Sequence, residues 1–115
     1  DDYLPWSGIG NMKSELGDSY GAISALNKAI EINPRYAKAY YNRGNAKSGL
    51  KDYYGAIADY NEAIEINPRD ESAYYNRSIA KEQIGDLKGA CSDARKAVSL
   101  GDQNEANKRW IKQNC

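Results

Sequence analysis

Between Tyr53 and Ile66 the apolar side chains Ile57, Tyr60 and Ile64 fall at spacings of three and four, with polar positions between them. That spacing keeps one stripe of a 3.6-residue helix apolar and predicts an amphipathic helix over 53–66. Asn67-Pro68 ends it, because proline cannot continue the hydrogen-bond ladder and disfavours helical geometry in the residue before it. Upstream, Ala37–Leu50 holds no proline and reads as a helix of its own, joined to the next through a turn at Lys51-Asp52. Gly17-Asp18 and Gly85-Asp86 mark the equivalent turns on either side. The opening helix is weaker: Pro5 suits its first turn, whereas Gly8 and Gly10 lower its propensity.

The pattern repeats. Ala-Ile-Glu-Ile-Asn-Pro-Arg stands at Ala29–Arg35 and again at Ala63–Arg69, an offset of 34 residues. Gly21-Ala22-Ile23 returns as Gly55-Ala56-Ile57 and as Gly89-Ala90-Cys91, and Ala39-Tyr40-Tyr41-Asn42-Arg43 returns as Ala73-Tyr74-Tyr75-Asn76-Arg77. Three helix-turn-helix units follow, 3–36, 37–70 and 71–104, all within residues 1–104. Small residues keep the phase: Gly10, Ala22 and Ala29, then Gly44, Ala56 and Ala63, then Ser78, Ala90 and Ala97. They permit close helix crossings, while Trp6, Tyr40 and Tyr74 are expected to fill the wider space between helices.

These residues, at a 34-residue period, resemble the tetratricopeptide repeat over nearly the whole chain. The resemblance implies an all-α, right-handed α-solenoid of three units with a C-terminal capping helix, residues 105–115. The Tyr-Tyr-Asn-Arg and Gly-Ala-Cys-Ser-Asp segments are similar to those of bacterial members of a type common in cyanobacteria. The third unit departs from the pattern where Ser99-Leu100-Gly101-Asp102 replaces the Asn-Pro stop. Gly101 is expected to end a helix and Asp102 to cap the next, over Gln103–Asn114. Ala106, Trp110 and Ile111 are expected on its covering side, with Lys108, Lys112 and Gln113 outside.

Composition narrows the chemistry. Sixteen basic and sixteen acidic residues balance to zero formal charge, which argues against a nucleic-acid partner. Histidine is absent, and with it the commonest general base and zinc ligand; with two cysteines, no four-ligand Cys/His zinc site assembles and no cofactor is expected. No apolar run approaches the roughly 20 residues that cross a bilayer. The chain opens at Asp1 with no methionine, as an excised domain or processed product would. No nucleophile–base pair or phosphate loop supports an enzyme.

Cys91 occupies the place of Ile23 and Ile57 and is expected to face the core. It lies eleven residues before Asp102, and Cys115 thirteen after it. Arms of nearly equal length folded about that turn bring the two sulfurs together, which predicts a disulfide stapling the cap to the third unit. A linked pair favours an oxidising compartment; a buried thiol and an unrelated terminal one is the alternative.

Carried over residue by residue, the resemblance places a concave groove on the first helices of the units. Ser7, Asn11 and Ser14 line it in the first unit, Tyr41, Asn42, Asn45 and Ser48 in the second, and Tyr75, Asn76, Ile79 and Gln83 in the third. Asn42 and Asn76, one period apart, offer amide donors and acceptors to an extended peptide, and Tyr41 and Tyr75 add aromatic surface. Some family members clamp a chaperone's C-terminal carboxylate with two Lys, one Arg and two Asn. At the matching places this chain has Ser7, Asn11, Asn42, Ser72 and Asn76, so both Asn are kept and all three cations are missing. The expected function is binding of a partner's peptide segment or helix, without the carboxylate clamp. The second reading is a structural element that packs on copies of itself or on further repeats, favoured by the thin first helix and the uncapped N-terminal side. Arg43 and Arg77 recur with the period and either pair with acidic residues of neighbouring helices or face the ligand.

Overall fold

Helix-forming stretches separated by the predicted turns fold into α1 (Leu4–Glu15), α2 (Ser19–Ile32), α3 (Ala37–Gly49), α4 (Tyr53–Ile66), α5 (Glu71–Gln83), α6 (Leu87–Ser99) and α7 (Glu105–Asn114). The structure is a computed structural model and describes residues 2–115. Helices pair antiparallel as α1–α2, α3–α4 and α5–α6, and each second helix packs on the first helix of the next pair. The result is an elongated stack of 45 × 25 × 21 Å.

Each second helix begins in the same way. The carboxylates of Asp18, Asp52 and Asp86 accept from the backbone N–H of Gly21, Gly55 and Gly89, satisfying a donor the helix cannot satisfy itself. The cap dictates the glycine: a Cβ at any of the three would run into the capping carboxylate. One residue earlier the chain passes through the left-handed region, at Gly17 (φ 82°), Lys51 (φ 63°) and Gly85 (φ 85°). Lysine has a Cβ that crowds the backbone there, so the second turn holds local strain that the other two avoid.

Close crossings within each pair are set by complementary residues. A Cβ on Gly44 would stand 2.7 Å from Cε1 of Tyr60, and one on Gly10 would meet Leu26. The third pair reverses the sizes, with Ser78 opposite the small, fully buried Ala94. Tyr60 and Leu26 are the largest fully buried side chains, each of the size whose burial stabilises by roughly 1.5–3 kcal/mol. Tyr40 donates to the Pro34 carbonyl at 3.0 Å, which fixes it between units as predicted. Trp6 does not fill such a gap: it lies beside Lys28, Glu31 and Ile32 at the end of α2, and the indole is 39% exposed.

The periodic arginines pair within the fold. Arg43 grips buried Asp59 through two hydrogen bonds, 2.9 and 2.7 Å, and donates a third to Asn27 of the preceding unit at 2.9 Å. Lys47 Nζ lies 3.1 Å from the same carboxylate. The arrangement recurs with Arg77, Asp93, Asn61 and Lys81. Each guanidinium also lies over a tyrosine ring, Tyr40 or Tyr74. Accepting those hydrogen bonds, Asp59 raises the Arg43 pKa above its already high value, so the guanidinium is permanently charged. One arginine thus fastens three helices. The first pair has Ile9 and Ala25 at the corresponding places and lacks the cluster.

The cap differs in detail from expectation. Asn104, not Asp102, caps α7, accepting from the N–H of Ala106 and Asn107. Asp102 instead accepts from the Asn104 N–H and from the Asn107 side chain, which also donates to the Ala94 carbonyl. Asn107 is therefore the buried anchor of the cap, whereas Ala106 is exposed. Cys91 and Cys115 form the predicted link, with Cα atoms 5.8 Å apart.

Candidate functional site

Three hollows lie between successive first helices. The first, about 220 Å³, is lined by Leu4, Ser7, Gly8 and Asn11 of α1, by Tyr36, and by Lys38 and Asn42 of α3. The second, also about 220 Å³, lies between α3 and α5 and is lined by Asn45, Ser48, Asn76 and Ile79, with Tyr60 reaching in from α4. The third, about 200 Å³, lies between α5 and α7 and is lined by Tyr75, Ser78, Ile79, Glu82, Ala106, Asn107 and Trp110. Exposed Ile79 borders both the second and the third.

A hydrogen-bond network sets the middle of this surface. The Asn76 amide donates to the Tyr41 hydroxyl at 2.9 Å and to Asn45 Oδ1 at 3.0 Å, and the Tyr60 hydroxyl donates to the same Oδ1 at 2.6 Å. Burial pushes the Tyr60 phenol up to about 12, so it remains a neutral donor through the physiological range. The network ties α3 to α5 and fixes the rotamers of four side chains. Among the described residues, Asn76 Oδ1 and Asn45 Nδ2 have no protein partner. At the far end, Trp110 Nε1 donates to Glu82 at 2.7 Å, giving the third hollow an aromatic wall.

Most of the residues named from sequence meet here. Asn11 and Asn42 share the first hollow, Asn45 and Asn76 the second, and Tyr75 and Ile79 the third; Tyr41 holds Asn76. Asn42 itself is buried, and Gln83 is exposed at the end of α5 and lines none of the three. Sequence reasoning missed Tyr60, Trp110 and Glu82 as parts of this surface. A larger open hollow, about 740 Å³, lies against the Cys91–Cys115 link and is lined by α6 and the end of the chain, with no residue of α1, α3 or α5 contributing.

Family models for tetratricopeptide repeats match residues 10–51, 37–70 and 71–106. The chain belongs to the tetratricopeptide repeat family. Among solved structures, the first repeat domain of Spaghetti (RPAP3) bound to the HSP90 peptide SRMEEVD superposes with a TM-score of 0.93 at 24% identity, covering 97% of this chain and 89% of that one. The Arabidopsis OM64 domain gives 0.92 at 28% identity, covering 96% and 92%. The Sgt2 domain from Aspergillus fumigatus gives 0.89 at 22%, covering 97% and 76%. No curated protein sequence matches the chain. As a tetratricopeptide repeat protein the chain has the fold of a protein-interaction module, and no helix among the described residues is long and apolar enough to cross a membrane.

Proposed function

We propose that the inner face formed by α1, α3, α5 and α7 binds an extended segment or helix of a partner protein. The observation that carries this reading is the fixed amide pair: Asn76 and Asn45 are hydrogen-bonded to each other, and Asn76 Oδ1 and Asn45 Nδ2 are left as one acceptor and one donor for the backbone of an extended segment. Ile79 beside them, with Tyr75 and Trp110 beyond, accepts an apolar side chain of the ligand. Rigid side chains lose little entropy on binding, so the network favours affinity before any ligand arrives.

The RPAP3 relative binds a peptide ending in acidic residues. Here Ser7, Ser72 and Asn76 stand where the family's clamp has cations, and Lys38 is the one cation lining the three hollows. A free carboxylate loses its main attraction, and the ligand favoured is an internal, largely uncharged segment. The disulfide supports action in a compartment oxidising enough to keep it formed.

Peptide-display selection on the whole chain, followed by fluorescence anisotropy, tests the assignment. Ile79→Asp and Asn76→Ala are expected to weaken selected peptides by about tenfold or more, the loss of one hydrogen-bonded or apolar contact. Tyr54→Ala, on the outer side of α4, leaves affinity unchanged. Equal affinity for wild type and both groove variants, with helical circular dichroism intact, removes the groove from the account.

A further inference from the structure

The third hollow, between α5 and α7, presents hydrogen-bond acceptors whose neighbouring donors are already used. Trp110 Nε1 donates to Glu82 Oε2 at 2.7 Å, and the Ser78 hydroxyl donates to the Tyr75 carbonyl at 2.6 Å. The Asn107 amide donates to the Ala94 carbonyl at 3.3 Å and to Asp102 Oδ2 at 2.9 Å. Both of those partners are acceptors, so they fix which end of the amide is oxygen. Asn107 is 2% exposed, yet its Oδ1 has no protein partner among the described residues and is not sealed from solvent. Oδ1 is thus the polar atom that Asn107 has left for the hollow it lines. Glu82 Oε1 is likewise unpartnered. The one hydroxyl with a proton to spare is that of Tyr75, and it can turn to accept as well.

Charge points the same way. Among the described residues, Glu82 is the one acidic side chain lining the three inner hollows, as Lys38 is the one basic side chain, and they stand at opposite ends of the face. No described lysine or arginine forms an ion pair with Glu82. Lys81 of the same helix is taken by Asp93 at 2.9 Å, and Lys108 of α7 stands 3.8 Å from Glu105. Arg109, next to Trp110 in sequence, does not line the hollow. A carboxylate entering here would meet Glu82 and find no free N–H to receive it. An ammonium or guanidinium group, which only donates, would meet acceptors.

We propose that the third hollow is a subsite for one lysine or arginine side chain of the bound segment, its charged head held by Glu82 and Asn107 Oδ1. Such a side chain also carries an apolar stem. Ile79, Tyr75 and Trp110 supply apolar surface for that stem, and Ile79 leads to it from the second hollow. Resting on the groove reading, this assignment names the chemistry at one end of the ligand. The segment is uncharged where it crosses the Asn45–Asn76 pair and basic where it reaches α7, which also sets its direction along the face.

Peptide-display selection on the whole chain, run in parallel on wild type and on Glu82→Gln, reads the subsite. Glutamine keeps an oxygen for Trp110 Nε1 while removing the charge, so the aromatic wall stays in place. Wild type is expected to enrich peptides with a lysine or arginine at one register, and Glu82→Gln to lose that preference. A peptide selected on wild type is expected to bind Glu82→Gln about tenfold more weakly by fluorescence anisotropy. Replacing its basic residue with norleucine is expected to cost the same, with no further loss when the two changes are combined. Added salt weakens the wild-type complex more than the Glu82→Gln complex. Wild-type selections without a basic residue overturn the proposal, as does a basic preference that survives in Glu82→Gln. Asn76→Ala separates the two failures. Binding weakened by Asn76→Ala but not by Glu82→Gln removes the basic subsite alone, whereas binding indifferent to both removes the groove with it.

Discussion

Removing the Asp59 carboxylate isolates the energetics that lock the second unit. Asp59→Ala leaves the Arg43 and Lys47 side chains, 21% and 24% exposed, facing a site that no longer carries an anion. Breaking a buried pair on one side typically costs 3–5 kcal/mol, most of it the desolvation of the charge left behind. Partial exposure of both cations puts the expected loss at the lower end, about 3 kcal/mol. For 115 residues the unfolding entropy is roughly 240 cal/mol/K, so that loss lowers the thermal midpoint by about 12 °C. The first unit supplies the control, since Ile9 and Ala25 already stand where Arg43 and Asp59 do. Combining Arg43→Ile with Asp59→Ala copies that apolar solution and removes the orphaned guanidinium. Lys47 can then turn to solvent. The double variant is expected to lose only about 1–2 kcal/mol, less than Asp59→Ala alone, so even a costless Arg43→Ile gives a double-mutant cycle coupling of at least about 1 kcal/mol. Calorimetric melts of the four proteins measure it. Additive losses would refute the reasoning, because they would mean that Arg43 and Asp59 stabilise the stack independently.

Two further outcomes test local features. Lys51→Gly places the one residue type that tolerates φ 63° at the second turn, as Gly17 and Gly85 already do; relief of about 1–2 kcal/mol of strain, less the glycine's added unfolded-state entropy, is expected to raise the thermal midpoint by a few degrees. Reducing the Cys91–Cys115 link, or replacing both cysteines with serine, opens a loop spanning 24 positions and is expected to cost about 3 kcal/mol, with hydrogen exchange accelerating first in α7; unchanged protection of α7 would show that its side-chain contacts suffice without the link.

The repeat made most of the fold legible. Every helix pair, every turn and the closeness of each crossing follow from residues that recur at the same phase, because each unit solves the same packing problem as its neighbour. What escaped the sequence depends on neighbours that the period does not specify. Trp6 shares its phase with Tyr40 and Tyr74 but is more exposed than either, so equal position did not give equal burial. Asn107, being polar, drew no expectation from the sequence. Yet it continues the series of Ala39 and Ala73, and the phase alone would have placed it inside. Arg43 and Arg77 could not be assigned between ligand and fold until the positions of Asp59 and Asp93 on the facing helices were known. Tyr60 was read as packing between units, which its ring does; that its hydroxyl also organises groove amides depends on Gly44, whose missing Cβ lets the ring lie close to α3.

Departures from the period therefore say more about function than the period itself. Where all three units agree, as in the Asp caps and their glycines, the residue answers a backbone need common to every turn. Where the second and third agree and the first does not, as at Arg43, Arg77 and Ile9, the shared residue serves a link to the preceding helix, through Asn27 or Asn61. Where one unit stands alone, the cause lies in its particular neighbours. Tyr60 is such a case, replaced by Leu26 and Ala94 in the flanking units, and it is the residue through which the core positions the inner face. The hydroxyl contact ties groove chemistry to core packing: the amides can be held in place only while the ring stays seated against Gly44. Geometry at the middle of the inner face is thus tied, through Tyr60, to the close helix crossing at Gly44.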